Sequence, residues 1–446
     1  MNIEHSRAWQ TYLAQNARSR QHAARAGQRI PSGTSRSLLR HPPFPFYIDK
    51  TDGVTGIDID GNTRIDFHNN YTTLVHGHGH PHIIAAVHRQ LAHGTTYSAP
   101  GAQELALAEY LCERVHSLEQ VVFNSSGTEA VMVALRIARA VTGRNRIGKF
   151  EGGYHGWSDF VMVGGHGLRA PNDPVGVTAP HADVGGLPQA ACADVVLMRY
   201  NDVEAVREAI TIHGHELAAI IVEPIQGAGG VIPAQPAFLR ALRDETRRAG
   251  IVLICDEVIT LRHAVGGAQG YYGFDPDLTT MAKIIGGGFP VGAVGGRREF
   301  MACLEADGAV ANLGTFSANP MTMAAGLAAM ELLDESAIAH INSLGDAARA
   351  KLTTVIERQR LPAQVCGAGS LFQVHWTEVP LTDARAVESA DATRNLLTFL
   401  GLCNRGIQLS MRGIGALSTP MTMSDIDTLV SAFEDTVREM RDEGFC

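Results

Sequence analysis

The stretch DLTTMAKIIGGGFPVGAVGG, residues 277–296, sets a single lysine between an apolar run and three consecutive glycines. Leu278 to Ala282 is short and apolar enough for a buried strand, which brings Lys283 out at its end, where side chains of α/β sheets meet ligands. Burial there lowers an amine's pKa and makes it nucleophilic, fit to hold an aldehyde cofactor as a Schiff base. Gly286, Gly287 and Gly288 let the backbone approach a ligand closely. A lysine snorkelling from a strand end beside a glycine turn explains the same letters. The stretch taken alone leaves both readings open.

Outward from it, short apolar runs recur at 120–123, 147–150, 195–198, 218–222, 251–255 and 291–295, most of them separated by helix-like or loop segments. This alternation predicts an α/β domain with a largely parallel sheet over residues 70–330. Residues 1–69 begin with a helix over 1–29 and a constrained loop that carries Arg36 before the prolines of HPPFPF. A small meander follows at 46–68. In 331–446, helical segments at 336–360, 386–404 and 424–442 enclose short strands near 369–375 and 407–410. They predict a smaller α+β domain that packs with the N-terminal segment.

Composition excludes several classes. The 446 residues are 45% hydrophobic and the mean hydropathy is zero, as in ordinary globular proteins. No apolar run approaches the roughly 20 residues that span a bilayer, and the N-terminus lacks the pattern of a signal peptide. The expected location is cytoplasmic. A net charge of −9 with scattered basic residues gives no footprint for nucleic acid or an anionic membrane. Seven cysteines without a C-x-x-C pair argue against a disulfide framework or zinc ribbon. The tract VHGHGHPH at 75–82 could place four histidines on one extended face, but no carboxylate or cysteine follows at ligand spacing. It reads as a loop, and no metal is expected.

Other strand ends carry chemistry too. Asp256 and Glu223 each follow an apolar run, and a buried carboxylate is costly without a cation. A protonated pyridine nitrogen is such a cation, and an aspartate that keeps it protonated improves the ring as an electron sink. A helix N-terminal carboxylate or a salt bridge is the plain alternative. Ser125-Ser126-Gly127-Thr128 lies between a strand and a helix, which suits a phosphate as well as an N-cap. The segment 143–149 matches P-loop spacing, but Phe150 replaces the metal-binding Ser/Thr and the order runs helix to strand.

Taken together, NSSGTEA (124–130), EGGYHG (151–156), VEP (222–224), CDEV (255–258), AKIIGGGFPVGAVGGR (282–297) and GTFSANP (314–320) resemble the class III aminotransferases of pyridoxal 5′-phosphate fold type I. The resemblance is to the branch with glutamate-1-semialdehyde aminomutase and the β-amino-acid (β-phenylalanine-type) transaminases, over nearly the whole chain. It implies an α/β large domain with a mainly parallel seven-stranded sheet flanked by helices, plus the smaller α+β domain. Its cofactor is pyridoxal 5′-phosphate. It implies that Lys283 carries the cofactor and shuttles a proton, that Asp256 pairs with the pyridine nitrogen, and that Val258 and Tyr154 cover the two ring faces with His155 beside Tyr154. Ser126, Gly127 and Thr128 would hold the phosphate, and Glu223 would stand near substrate and cofactor. Thr315 would reach the phosphate bound by a neighbouring subunit, in a homodimer with shared active sites. Arg36 and Arg412 match substrate-carboxylate arginines. Partners are then a small-molecule amino donor and a 2-oxo acid acceptor, exchanged in ping-pong fashion. Aminomutases tend to carry a glutamate near position 412, where this chain has Gly413 and Ile414, and the segment 164–192 differs from the aminomutase gating loop. A transaminase of β- or ω-amino acids is therefore expected, with a 2,1-aminomutase or a racemase as the alternative.

Overall fold

The computed structural model describes residues 2–165 and 180–446, so the middle of the 164–192 segment lies outside the described residues. The chain forms two compact units. The larger holds Pro81–Ala339 and Pro380–Glu388; the smaller holds Met1–His80, His340–Val379 and Ser389–Cys446.

The larger unit is built on seven strands: β1 (Gln120–Asn124), β2 (Arg146–Phe150), β3 (Val195–Met198), β4 (Leu217–Val222), β5 (Val252–Asp256), β6 (Leu278–Ala282) and β7 (Gly292–Gly296). Their order is β1-β7-β6-β5-β4-β2-β3, with β7 antiparallel to β6 and β1 and the other pairings parallel. Parallel strands covered on both faces read as continuous apolar runs, and β4 (LAAIIV) and β6 are buried at every residue. Each Leu or Ile so buried contributes on the order of 1.5–3 kcal/mol.

Helix α1 (Gly127–Thr142) follows β1. The Ser126 hydroxyl accepts the Glu129 N–H at 3.2 Å while a Glu129 oxygen accepts the Ser125 N–H at 2.7 Å, so start signals are met from both sides. Val131, Ala134, Leu135 and Ala138 bury one face of the helix, and Gly143 ends it in the left-handed region at φ 66°. Gly143 is therefore a cap rather than the first residue of a phosphate loop. Lys149 is buried in β2, where its amine donates to the carbonyls of Val161 and Val163 at 2.9 and 2.7 Å.

In the smaller unit, Ile48–Asp52, Thr55–Asp58 and Thr63–Asp66 form the expected meander, extended by a parallel pairing of Thr63–Asp66 with Ile407–Gln408. A second sheet joins Gln364–Cys366, Leu371–His375 and Ile414–Ala416. The helix expected over 1–29 is two helices, Arg7–Gln15 and Ala17–Gly27, broken at buried Asn16. Its side chain donates to the Tyr12 carbonyl at 2.8 Å and accepts from Arg64 at 3.1 Å, and the Asp60 carboxylate accepts the Arg18 and Ser19 N–H groups at the start of the second helix.

The expected C-terminal domain, 331–446, is interrupted. Residues 380–388 group with the larger unit because Arg385 donates to both oxygens of Glu151, at 2.6 and 2.7 Å, and Asp383 pairs with Arg199.

Candidate active site

Strand ends of the larger unit gather most of the residues singled out from the sequence. Lys283 starts the turn directly after β6 and has φ 51°, unusual for a residue with a Cβ. Burial lowers the pKa of its amine, against the opposing pull of the Asp256 and Glu223 charges. Asp256, the last residue of β5, is 3% exposed. One of its oxygens accepts the Val258 N–H at 3.0 Å and the other lies 2.7 Å from His155 Nδ1. This contact places the ring proton of neutral His155 on Nδ1, and burial holds that imidazole below its usual pKa. His155 Nε2 is buried without a hydrogen-bond partner.

Glu223 ends up with a structural duty that its position alone did not announce. Its two oxygens accept the N–H groups of Tyr154 and Gly227, each at 2.9 Å. It thereby fixes the backbone that carries Tyr154 and His155. Burial, then the nearby Asp256 charge, pushes its carboxyl well above the usual range.

The same loop is fastened from below. Gln226 donates to the Glu151 carbonyl at 2.8 Å, and Arg385 holds the Glu151 carboxylate. Gly152 has φ 77°, and a Cβ there would stand 2.3 Å from that of Ala384, so only glycine fits between loop and clasp. The signal for Glu151 was present in the EGGYHG motif; Arg385, more than two hundred residues away, carried none.

Glycine also brings the anion loop to the lysine. A Cβ on Gly127 would lie 3.3 Å from Ala282 and 3.4 Å from Val258, and one on Gly292 would collide with the Ser126 carbonyl. A Cβ on Gly156 would lie 2.6 Å from the Thr128 hydroxyl. Ser126, Gly127 and Thr128, at the N-terminus of the 16-residue α1, thus adjoin the β5 and β6 ends. Thr315 is exposed, between Leu313 and Phe316, which are 81% and 63% exposed. Arg36 and Arg412 belong to the smaller unit, where both are exposed and both guanidinium charges act on Tyr71.

The family model for class III aminotransferases matches residues 39–400. The chain belongs to the class III aminotransferases. A glutamate-1-semialdehyde 2,1-aminomutase of Methanothermobacter thermautotrophicus is 40% identical over 386 residues, 86% of this chain and 89% of that protein. Among solved structures, an omega-transaminase from Sphaerobacter thermophilus is 43% identical with a TM-score of 0.91, over 95% of this chain and 98% of the other. A β-phenylalanine aminotransferase from Variovorax paradoxus is 35% identical with a TM-score of 0.89, over 98% and 97%.

This class III aminotransferase is a pyridoxal 5′-phosphate enzyme acting on small amino and keto compounds. Its fold agrees with the type I architecture expected from the sequence. The residues present also fit the cofactor. The buried Asp256 carboxylate stands close enough for its charge to act on the Lys283 amine, so the cluster can accept the positive charge of a protonated ring nitrogen. Among the described residues no helix is long and apolar enough to cross a membrane.

Proposed function

We propose that the enzyme takes an amino group from a carboxylate-bearing amine, a β- or ω-amino acid, and passes it to a 2-oxo acid. The observation that carries this reading is the exposed Arg36 guanidinium, held 5.6 Å from the centre of the Tyr71 ring and 2.7 Å from Asn70 Oδ1. Arg36, and Arg412 as a second exposed guanidinium of the same unit, suit the carboxylates of donor and acceptor through bidentate, charge-assisted hydrogen bonds. The omega-transaminase and β-phenylalanine aminotransferase relatives support it.

When bound, pyridoxal 5′-phosphate supplies an electron sink for charge developing at the amine-bearing carbon. Lys283 would hold the cofactor through its amine and would move a proton at the amine-bearing carbon. Asp256, held by His155 and the Val258 N–H, would keep the ring nitrogen protonated. Tyr154 and Val258 would cover the ring, with Glu223 holding the Tyr154 backbone. Ser126, Gly127 and Thr128 would bind the phosphate, joined by Thr315 of a second copy in a homodimer.

A second reading, a 2,1-aminomutase or racemase on the same site, is favoured by the names of the curated relatives, which speak for the mutase more directly than for a transaminase. One experiment separates the two. A transaminase consumes a β-amino acid donor only as fast as an added 2-oxo acid is aminated. Isomerised or racemised product formed without an acceptor would establish the second reading.

A further inference from the structure

Residues 69–72 are the one run of four successive non-glycine residues with positive φ among the described residues: Asn69 48°, Asn70 49°, Tyr71 54° and Thr72 71°. Side chains bearing a Cβ crowd the backbone in this region and stay there only when surrounding contacts dictate it. Those contacts are specific. One oxygen of Asp66 accepts the N–H groups of His68 and Asn69, both at 2.9 Å, and the other lies 2.8 Å from His78 Nε2. Asn69 donates through its amide to the Ala416 carbonyl at 2.7 Å, gripping the strand that follows Arg412. The Tyr71 hydroxyl donates to the Leu38 carbonyl at 2.8 Å, gripping the segment that follows Arg36.

The turn also touches Arg36 itself. Asn70 Oδ1 accepts from the Arg36 guanidinium at 2.7 Å, and that guanidinium sits 5.6 Å from the centre of the Tyr71 ring. An amide oxygen takes one N–H without neutralising the cation, so full charge and the remaining donors are left for a substrate. Asparagine is also among the few residues with a Cβ that accept left-handed backbone readily.

We infer that the left-handed turn Asn69–Thr72, clamped by Asp66 and His78, is a positioning device that aims Arg36 at the substrate carboxylate, with Asn70 as the positioning residue. It rests on the carboxylate-binding reading of Arg36. The histidine tract gains a structural role from it, because His78 braces the acid that caps the turn.

The test compares Asn70→Asp, Asn70→Gly and Arg36→Ala in the full-length, cofactor-loaded enzyme, reading KM, kcat, the Ki of a simple aliphatic monocarboxylate and the absorbance of bound cofactor. Aspartate would neutralise Arg36, so Asn70→Asp should raise KM and Ki roughly tenfold or more, with kcat within about threefold and the cofactor band retained. Glycine accepts the same φ but offers no acceptor, and should raise both by about threefold. KM and Ki within error of the parent in either variant, or a loss confined to kcat, would overturn the inference. If Asn70→Asp does not fold, Asn70→Gly decides alone. Arg36→Ala separates the two levels: unchanged KM and Ki there would remove the carboxylate reading itself, whereas raised values beside a silent Asn70 remove only the positioning role.

Discussion

His68 stands under Tyr71, ring centroids 3.9 Å apart, and is 6% exposed with its Nε2 buried and unbonded. Burial chiefly, and Arg36 to a smaller extent, lower its pKa from 6.5 to about 4, while Asp66 opposes them. The sign follows from proton binding. Between those values the unfolded chain takes up a proton that the folded chain refuses, so stability is complete above the unfolded value and falls as pH drops towards the folded one. At about pH 5 the loss from this one imidazole is on the order of 2 kcal/mol. His68→Phe keeps the ring contact and removes the titration. Its melting temperature should fall less than the parent's between about pH 7.5 and pH 5, and an equal fall in both would show that His68 does not carry the acid sensitivity.

Elements carried into the sequence reading unequally. The strand-end residues Lys283, Asp256 and Glu223 were legible because a fully buried parallel strand is a continuous apolar run, and the polar residue that ends it is conspicuous. The left-handed run 69–72 was not legible, since Asn-Asn-Tyr-Thr takes that shape only under contacts from Asp66, Leu38 and Ala416. Nor was the 380–388 segment, whose place depends on ion pairs with Glu151 and Arg199. That segment acts as a clasp on the loop bearing Tyr154 and His155. Both partners of the Arg385–Glu151 pair are shielded, at 14% and 4% side-chain exposure, and truncating one partner of such a pair costs about 3–5 kcal/mol. Arg385→Ala should therefore lower the melting temperature and weaken cofactor retention, measured by titrating the apoenzyme and following absorbance. Arg385→Lys, which keeps charge but not the two-pronged geometry, should fall between. Melting and retention equal to the parent's would mean that the clasp is incidental.

At the scale of the whole molecule, the proposed homodimer makes each active site a product of two chains. Thr315 lies on an exposed stretch flanked by Leu313 and Phe316, a setting that water alone serves poorly and that a second copy would cover. If Thr315 serves the partner's phosphate, two defects on different chains can be separated by assembly. Lys283→Ala removes the amine that chemistry needs, whereas Thr315→Glu places a negative charge against a phosphate held by the other chain. Each variant alone should be inactive or nearly so. In a mixed dimer, the site built from the Lys283 of one chain and the Thr315 of the other is intact, while its counterpart carries both defects. Random pairing on co-expression makes half the dimers mixed, each with one sound site, so activity should recover to about a quarter of the parent's per subunit. Recovery should track the mixed species when differently tagged chains are separated. Co-expressed variants no more active than either alone would place Thr315 outside its partner's site and leave each chain with an active site of its own.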